Sequence, residues 1–266
     1  MKQLGALFVA IAFSAGLNAQ SPVPLGSAGS FAALAGSTVT NTGPTLVAGG
    51  DVGVSPGSAV TGFPPGIIVG GVIHAADTVA ATAQSDLTAA YNDAAGRPTA
   101  NIVSNDIGGQ SFLPGVYRAT TSLGITGTVT LNGNGNPNAV FIFQVGSTLT
   151  TAAGNSIVFL TNGARASNVF WQVGSSATLG TNTDFAGTIL AQTSVTLTTG
   201  ATLFGRALAR TGAVTFDSNG VTNPGLAVVA PSPVPAPSSF LLVMSGMALV
   251  GLFRSRDRLA KAFKRN

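Results

Sequence analysis

Hydrophobic and polar positions along this chain fall into short lines that repeat. Between Asn168 and Asn219 the line endings Ala177-Thr178-Leu179, Val195-Thr196-Leu197 and Val214-Thr215-Phe216 recur at intervals of 18 and 19 residues. Each line holds a short alternating apolar run, a patch of Gly, Ser, Thr or Asn, and a second run. A period of about 20 with two or three strands per period predicts a solenoid whose coils stack on one another. Side chains alternate across a strand, so Leu179, Leu197 and Phe216 take the inward parity and Thr178, Thr196 and Thr215 the outward one. The dipeptides Thr130-Leu131 and Thr148-Leu149 extend the pattern, giving an expected outward column of Thr130, Thr148, Thr178, Thr196 and Thr215.

Short apolar runs at 31–34, 38–40, 46–48, 52–54 and 59–61 predict the strands of the first coils, and 62–71 (GFPPGIIVGG) predicts a loop. After His74 the period changes. Val79, Ala83, Leu87, Ala90, Tyr91 and Ala94 follow helical spacing, which predicts a helix over about 75–95. Asp77 stands where it can cap the first turn, and Gly96 before Pro98 ends the last. A helix of about 20 residues is ~30 Å long. Six coils at ~4.8 Å span nearly the same length, so the helix can cover one side of the stack. The stretch 101–117 reads as a connection back to the stack. Further coils follow at 128–131, 140–145, 148–150 and 157–160. FIFQVGST at 141–148 and FWQVGSS at 170–176 are near-copies 28 residues apart, which places an inserted loop near 162–167.

Charge adds little to the body and much to the ends. Only 8% of the residues are charged, there is no Cys, and one His is present. Five Arg (97, 118, 165, 206, 210) and seven Asp (51, 77, 86, 93, 106, 184, 217) lie between Gln20 and Ser239, a balance of −2. The basic pI therefore belongs to the terminal segments and gives no argument for nucleic acid. No nucleophile–base pair and no repeated Asp/Gly calcium pattern is present, so an enzyme, a cofactor or a metal site is not expected. His74 reads as a capping or packed residue, Asp51, Asp184 and Asp217 as turn residues, and Trp171 as core or rim. Arg206 and Arg210 read as salt-bridge or carbonyl-binding residues.

Both ends look like targeting segments. Residues 1–19 combine Lys2, an apolar run at 7–13 and small residues near Leu17-Asn18-Ala19, as in a secretory signal peptide cut near Ala19–Gln20. Domain boundaries follow: a body over 20–228, a Pro-rich linker over 229–239, and an apolar run with a basic tail over 240–266. Fourteen apolar residues at 240–253 cover only ~21 Å as a helix, short of a ~30 Å hydrocarbon core. Pro-rich motif, short apolar segment and Arg cluster in this order resemble the PEP-CTERM sorting tail, with Pro235-Ala236-Pro237 in place of the usual Pro-Glu-Pro. That resemblance implies an exosortase-like processing enzyme and an exported, secreted or envelope-held product. A simple C-terminal membrane anchor is the other reading.

The body itself resembles the ice-binding protein-like family over residues 25–221. The resemblance is carried by GDVGVSPG at 50–57, TGFPPG at 61–66, AAYNDAAGR at 89–97 and LPGVY at 113–117. It continues through NAVFIFQVGSTLTT at 138–151, NVFWQVGSSATLG at 168–180 and GRALARTGAVTFD at 205–217. It implies a mainly β protein: an irregular, discontinuous three-faced β-solenoid with one long α-helix packed alongside. It also implies ice as the partner. A rigid row of threonines suits that role, since each methyl favours caged water and each hydroxyl anchors it. Two candidate faces stand. One is the strand column Thr130, Thr148, Thr178, Thr196 and Thr215. The other is a turn-side set: Thr151, Asn155, Thr181, Thr183, Thr199 and Thr202. The turn-side set is favoured here, because Thr199-Gly200-Ala201-Thr202 is similar to a Thr-Gly/Ala-x-Thr/Asn motif of bacterial relatives. If the block 168–180 faces the helix, Thr178 is buried. A structural or adhesive envelope domain that contacts exopolysaccharide is the alternative to ice binding, and a monomer is expected in either case.

Overall fold

The structure, a computed structural model, describes residues 20–99 and 101–225. They belong to one compact unit. Its strands are parallel and wind into a three-faced solenoid. One face is a seven-stranded sheet. In spatial order its strands are Leu123–Ile125, Leu149–Thr151, Ala177–Leu179, Val195–Leu197, Val214–Asp217, Thr38–Thr42 and Ala59–Thr61. A larger sheet forms the other two faces, joined where the eight-residue strands Asp184–Ala191 and Thr202–Ala209 turn a corner. Gly205 makes that corner possible, since a Cβ there would lie 1.9 Å from the Gly187 carbonyl oxygen.

The stack is out of sequence order. Thr38–Thr42 sits between Val214–Asp217 and Ala59–Thr61, with Thr40 opposite both Thr215 and Thr61. The N-terminal strands thus form the coils beyond the C-terminal ones, and the helix carries the chain back to the far end. Seven coil levels cross the seven-stranded sheet, one more than the six expected. Six intervals of ~4.8 Å make about 29 Å. The 19-residue helix Thr78–Gly96 is about 28 Å long, so it runs the length of the stack.

Two segments differ from their sequence reading. The expected loop 62–71 contains a strand, Ile67–Val69, paired with Leu46–Ala48. The expected connection 101–117 contributes Asn101–Ile102, Ser111–Phe112 and the start of Gly115–Ala119, each paired in register. Both lie at ends of the stack, where a strand has few partners and carries a weak local pattern among Pro and Gly.

The helix begins where its capping residue predicts. Asp77 accepts from the Ala80 amide at 2.8 Å, and His74 Nδ1 meets the other Asp77 oxygen at 2.6 Å. Ala80, Ala83, Leu87, Ala90, Tyr91 and Ala94 form its buried stripe. Small residues let it lie close on Leu34, Ile142, Phe170, Leu190 and Leu208, which the strands beneath turn outward. Gln144 Nε2 donates to the Ala94 and Arg97 carbonyls at 2.9 and 2.8 Å, satisfying groups that a helix end leaves unpaired.

Inside the coils an aromatic ladder replaces part of the aliphatic core. Phe143 stacks on Trp171 with centroids 4.2 Å apart, and Trp171 meets Phe185 at 5.1 Å. Trp171 is fully buried, and its Nε1 donates to the Ala186 carbonyl at 3.0 Å. Arg206 is buried too. It donates to the Gly29 carbonyl (2.9 Å) and Thr188 Oγ1 (3.1 Å), and burial lowers its pKa to about 10. Arg210 lies over the Tyr91 ring, 4.7 Å from its centroid. Of the two readings for these arginines, Arg206 takes the carbonyl one.

Candidate functional site: the threonine face

The seven-stranded sheet turns its inward parity into the core and leaves the other parity uncovered. Leu149, Ala177, Leu179, Val195, Leu197, Val214, Phe216 and Val39 are all fully buried. Opposite parity gives a centre column of Gly124, Thr150, Thr178, Thr196, Thr215, Thr40 and Thr61, each paired with the next. All are at least partly exposed. No register shift interrupts this sheet, so the column repeats at the inter-strand spacing of ~4.8 Å.

A second column lies two residues upstream, ~7 Å along each strand. It holds Ser122, Thr148, Ser176, Ser194, Ala213, Thr38 and Ala59. Every outward side chain here is small, and the hydroxyls recur row by row. Within the centre column, among the described residues, Thr40 and Thr215 alone bond to each other, at 3.3 Å. The remaining centre hydroxyls face solvent. One charge reaches the outward positions of this sheet, Asp217 at its rim. Beside the first row, Asp106 accepts from the Gly108 and Thr126 amides at 2.9 and 3.1 Å, which hold its carboxyl below the usual carboxylate range. A close-packed corner keeps the coils level. A Cβ on Gly174 would sit 2.5 Å from the Gly146 carbonyl oxygen of the neighbouring coil.

The expected strand column is divided by the observed register. Thr178, Thr196 and Thr215 share the centre column as expected. Thr148 lies on the same face but one column over, because Leu149 pairs with Ala177 and not with Leu179. Thr130 lies on the third face, between Ser111 and Phe159. The block 168–180 does pack its first half, Val169–Val173, under the helix, but the chain turns at Gly174 and leaves Thr178 on the open face. Sequence reasoning missed Thr150, Thr40 and Thr61. Thr38-Val39-Thr40 carries the right parity, yet its partner is 175 residues away.

The turn-side set comes apart as well. Thr151 and Thr183 are inside the protein, 2% and 0% exposed, and share a hydrogen bond of 2.6 Å. Both follow an outward residue by one position and so point inward. Asn155 is exposed in the loop beyond Thr151, with a positive φ of 84°. Thr181 and Thr199 are exposed at the corner, and Thr202 opens the third face. Their hydroxyls are in use: Thr199 donates to Asp217, Thr202 donates to Asp184 at 2.7 Å, and Thr181 approaches Thr198 at 3.4 Å. The third face is also less regular. One register pair, Ile157 with Asp184, joins its two halves. Leu46, Ile67, Phe159 and Phe204 project from it, each about half exposed.

The class defined by this geometry is a rigid, parallel, three-faced β-solenoid with one face covered by a helix and one paved with threonine. A family model described as Ice-binding-like matches residues 33–222, and the chain belongs to that family. It is 49% identical over 244 residues to an ice-binding protein of Nostoc sp. (strain HG1), covering 90% of this chain and 88% of that one. An ice-binding protein of Colwellia sp. is 35% identical over 236 residues, covering 83% and 90%. Among solved structures, an ice binding protein from an Antarctic biological consortium superposes with a TM-score of 0.74 at 48% identity, covering 83% of this chain and 96% of that one. One from the ascomycete Antarctomyces psychrotrophicus gives 0.73 at 40% identity, covering 76% and 98%.

Proposed function

We propose that this protein adsorbs to ice through the threonine face of the seven-stranded sheet. The observation that carries the reading is the in-register column Thr150, Thr178, Thr196, Thr215, Thr40 and Thr61. Its methyls and hydroxyls stand at fixed intervals on strands that have no freedom to lose. Each contact with ordered water is weak, but a preorganised array engages many at once with little entropic cost. Sparse charge favours the same outcome, because strongly hydrated groups would disrupt an ordered layer. The family relationship supports ice as the target. The strand face is preferred over the turn-side residues because Thr199 and Thr202 spend their hydroxyls on carboxylates.

In this reading the chain is exported, with residues 1–19 removed as a leader, and acts as a monomer. Residues 229–266, which lie outside the described residues, serve as a linker followed by a sorting or anchoring tail. Among the described residues no helix is long and apolar enough to cross a membrane. Thermal hysteresis and inhibition of ice recrystallisation by the purified protein test the proposal directly. Activity at micromolar concentration that disappears in folded Thr196→Tyr supports it. Absence of any activity in the wild type transfers the case to a structural or adhesive envelope domain.

A further inference from the structure

We propose that the mature chain begins with a cyclised Gln20, a pyroglutamyl end formed and held beside Arg97. The proposal rests on removal of the leader after Ala19; the structure supplies what surrounds the new end. Arg97 follows the helix Thr78–Gly96 directly. Its Nε and Nη2 donate to Asp93 Oδ2 at 3.1 and 2.7 Å, which fixes the guanidinium plane. Its Nη1 donates to Gln20 Oε1 at 3.4 Å and to the carbonyl and hydroxyl oxygens of Ser21, both at 3.1 Å. The Arg97 side chain is only 15% exposed.

Cleavage would leave an α-amine on the residue whose side-chain oxygen Arg97 holds. The guanidinium draws electron density from the carbonyl to which it bonds, making Gln20 Cδ a better electrophile. The amine nitrogen attacks Cδ and closes a five-membered lactam. The side-chain nitrogen leaves as ammonia and takes with it the proton that the amine gives up. No oxidant or second substrate is needed. The product is neutral, and it keeps a carbonyl oxygen for Nη1. Arg97 acts here as a positioning and polarising residue.

The experiment uses the full chain expressed with its own leader. The exported protein is examined by intact mass and by stepwise N-terminal degradation, before and after treatment with pyroglutamyl aminopeptidase. The expected product starts at residue 20, is lighter by one ammonia, and is blocked until the peptidase removes its first residue. A product starting at Gln20 with a stable free amine overturns the cyclisation and leaves the leader reading intact. A start elsewhere overturns both. Arg97→Gln, folded by circular dichroism, is expected to lower the cyclised fraction severalfold at a fixed time after export; an unchanged fraction removes Arg97 from the mechanism. Should that variant not fold, uncyclised wild type in concentrated urea is expected to cyclise more slowly than in buffer, and an equal rate has the same force.

Discussion

Two faces of the same coils have opposite fates. Under the helix, strands such as Val169–Val173 and Thr202–Ala209 turn Phe170 and Leu208 outward, and the helix covers them. One corner of the coil away, strands of the same spacing turn Thr178, Thr196 and Thr215 outward, and no helix covers them. Backbone geometry does not distinguish the two faces. What distinguishes them is the outward column. A row of Leu and Phe needs a lid, and the Ala-rich helix is shaped to be one. A row of threonines satisfies the strand's preference for β-branched residues without demanding cover. The third face fits the contrast: where its outward positions mix Asp184, Thr202, Phe204 and Leu46, it is neither lidded nor regular.

The largest expected effect attacks what both faces share. Leu197 is fully buried between coils. Leu197→Asp places an unpaired charge there and should cost more than about 4 kcal/mol, enough to unfold the body. Melting by circular dichroism reads this, and a wild-type-like transition would sink the assigned register. Next comes the lid alone. Leu87, on the inner face of the helix, is fully buried, so Leu87→Ala should destabilise by about 2–5 kcal/mol. Below the melting transition it should leave recrystallisation inhibition intact. Loss of activity in the folded variant would tie the helix to the ice face, against the division drawn here.

A subtler substitution separates the two candidate surfaces. Thr196 sits mid-column on the open sheet, and Thr202 beyond the corner. Tyrosine at either position should change stability by less than ~0.5 kcal/mol. Thr196→Tyr breaks the flatness of the array and should abolish most hysteresis. Thr202→Tyr should retain most of it. The reverse result would restore the turn-side residues and falsify the strand face.

Parity within a line was legible in the sequence; the order of lines was not. Alternation alone put Leu197 in and Thr196 out, and helical spacing with Asp77 and Gly96 marked the helix within a few residues. The phase between repeats was harder. Thr148-Leu149 matches Thr178-Leu179 as a motif, yet the register pairs Thr150 with Thr178, because the distance between coils and not the dipeptide sets the alignment. The turn-rich surroundings of Thr151 and Thr183 suggest the surface, while the structure buries both. Thr40 and Thr61 join the column only because the chain doubles back. Long-range stacking of that kind leaves no trace in local periodicity.

The smallest effect distinguishes the faces by acid. Asp77 and Asp86 hold the lid. The Ala80 amide and then His74 stabilise the Asp77 carboxylate, and the hydroxyl and amide of Ser27 stabilise that of Asp86, at 2.6 and 2.8 Å. Both carboxyls are thereby held below their ordinary value. A depressed carboxyl stabilises the folded state fully above its unfolded pKa of about 3.9, and that contribution is lost as pH falls through the lower folded value. Asp86 ties the helix to the turn Gly26–Ser30, and Asp77 caps its first residues. Acidification from about pH 5 toward pH 2 should therefore loosen the helix before the middle threonine rows, since the carboxylates of that face lie at its margins, Asp106 beside the first row and Asp217 at the rim. Both solvent-exposed groups contribute modestly, so the signal is local and not a global unfolding. Amide resonances of residues 78–96 should broaden or shift before those of 177–179 and 195–197. Simultaneous change in both sets would mean that lid and stack are one cooperative unit, and the contrast between the two faces would then be one of surface chemistry alone.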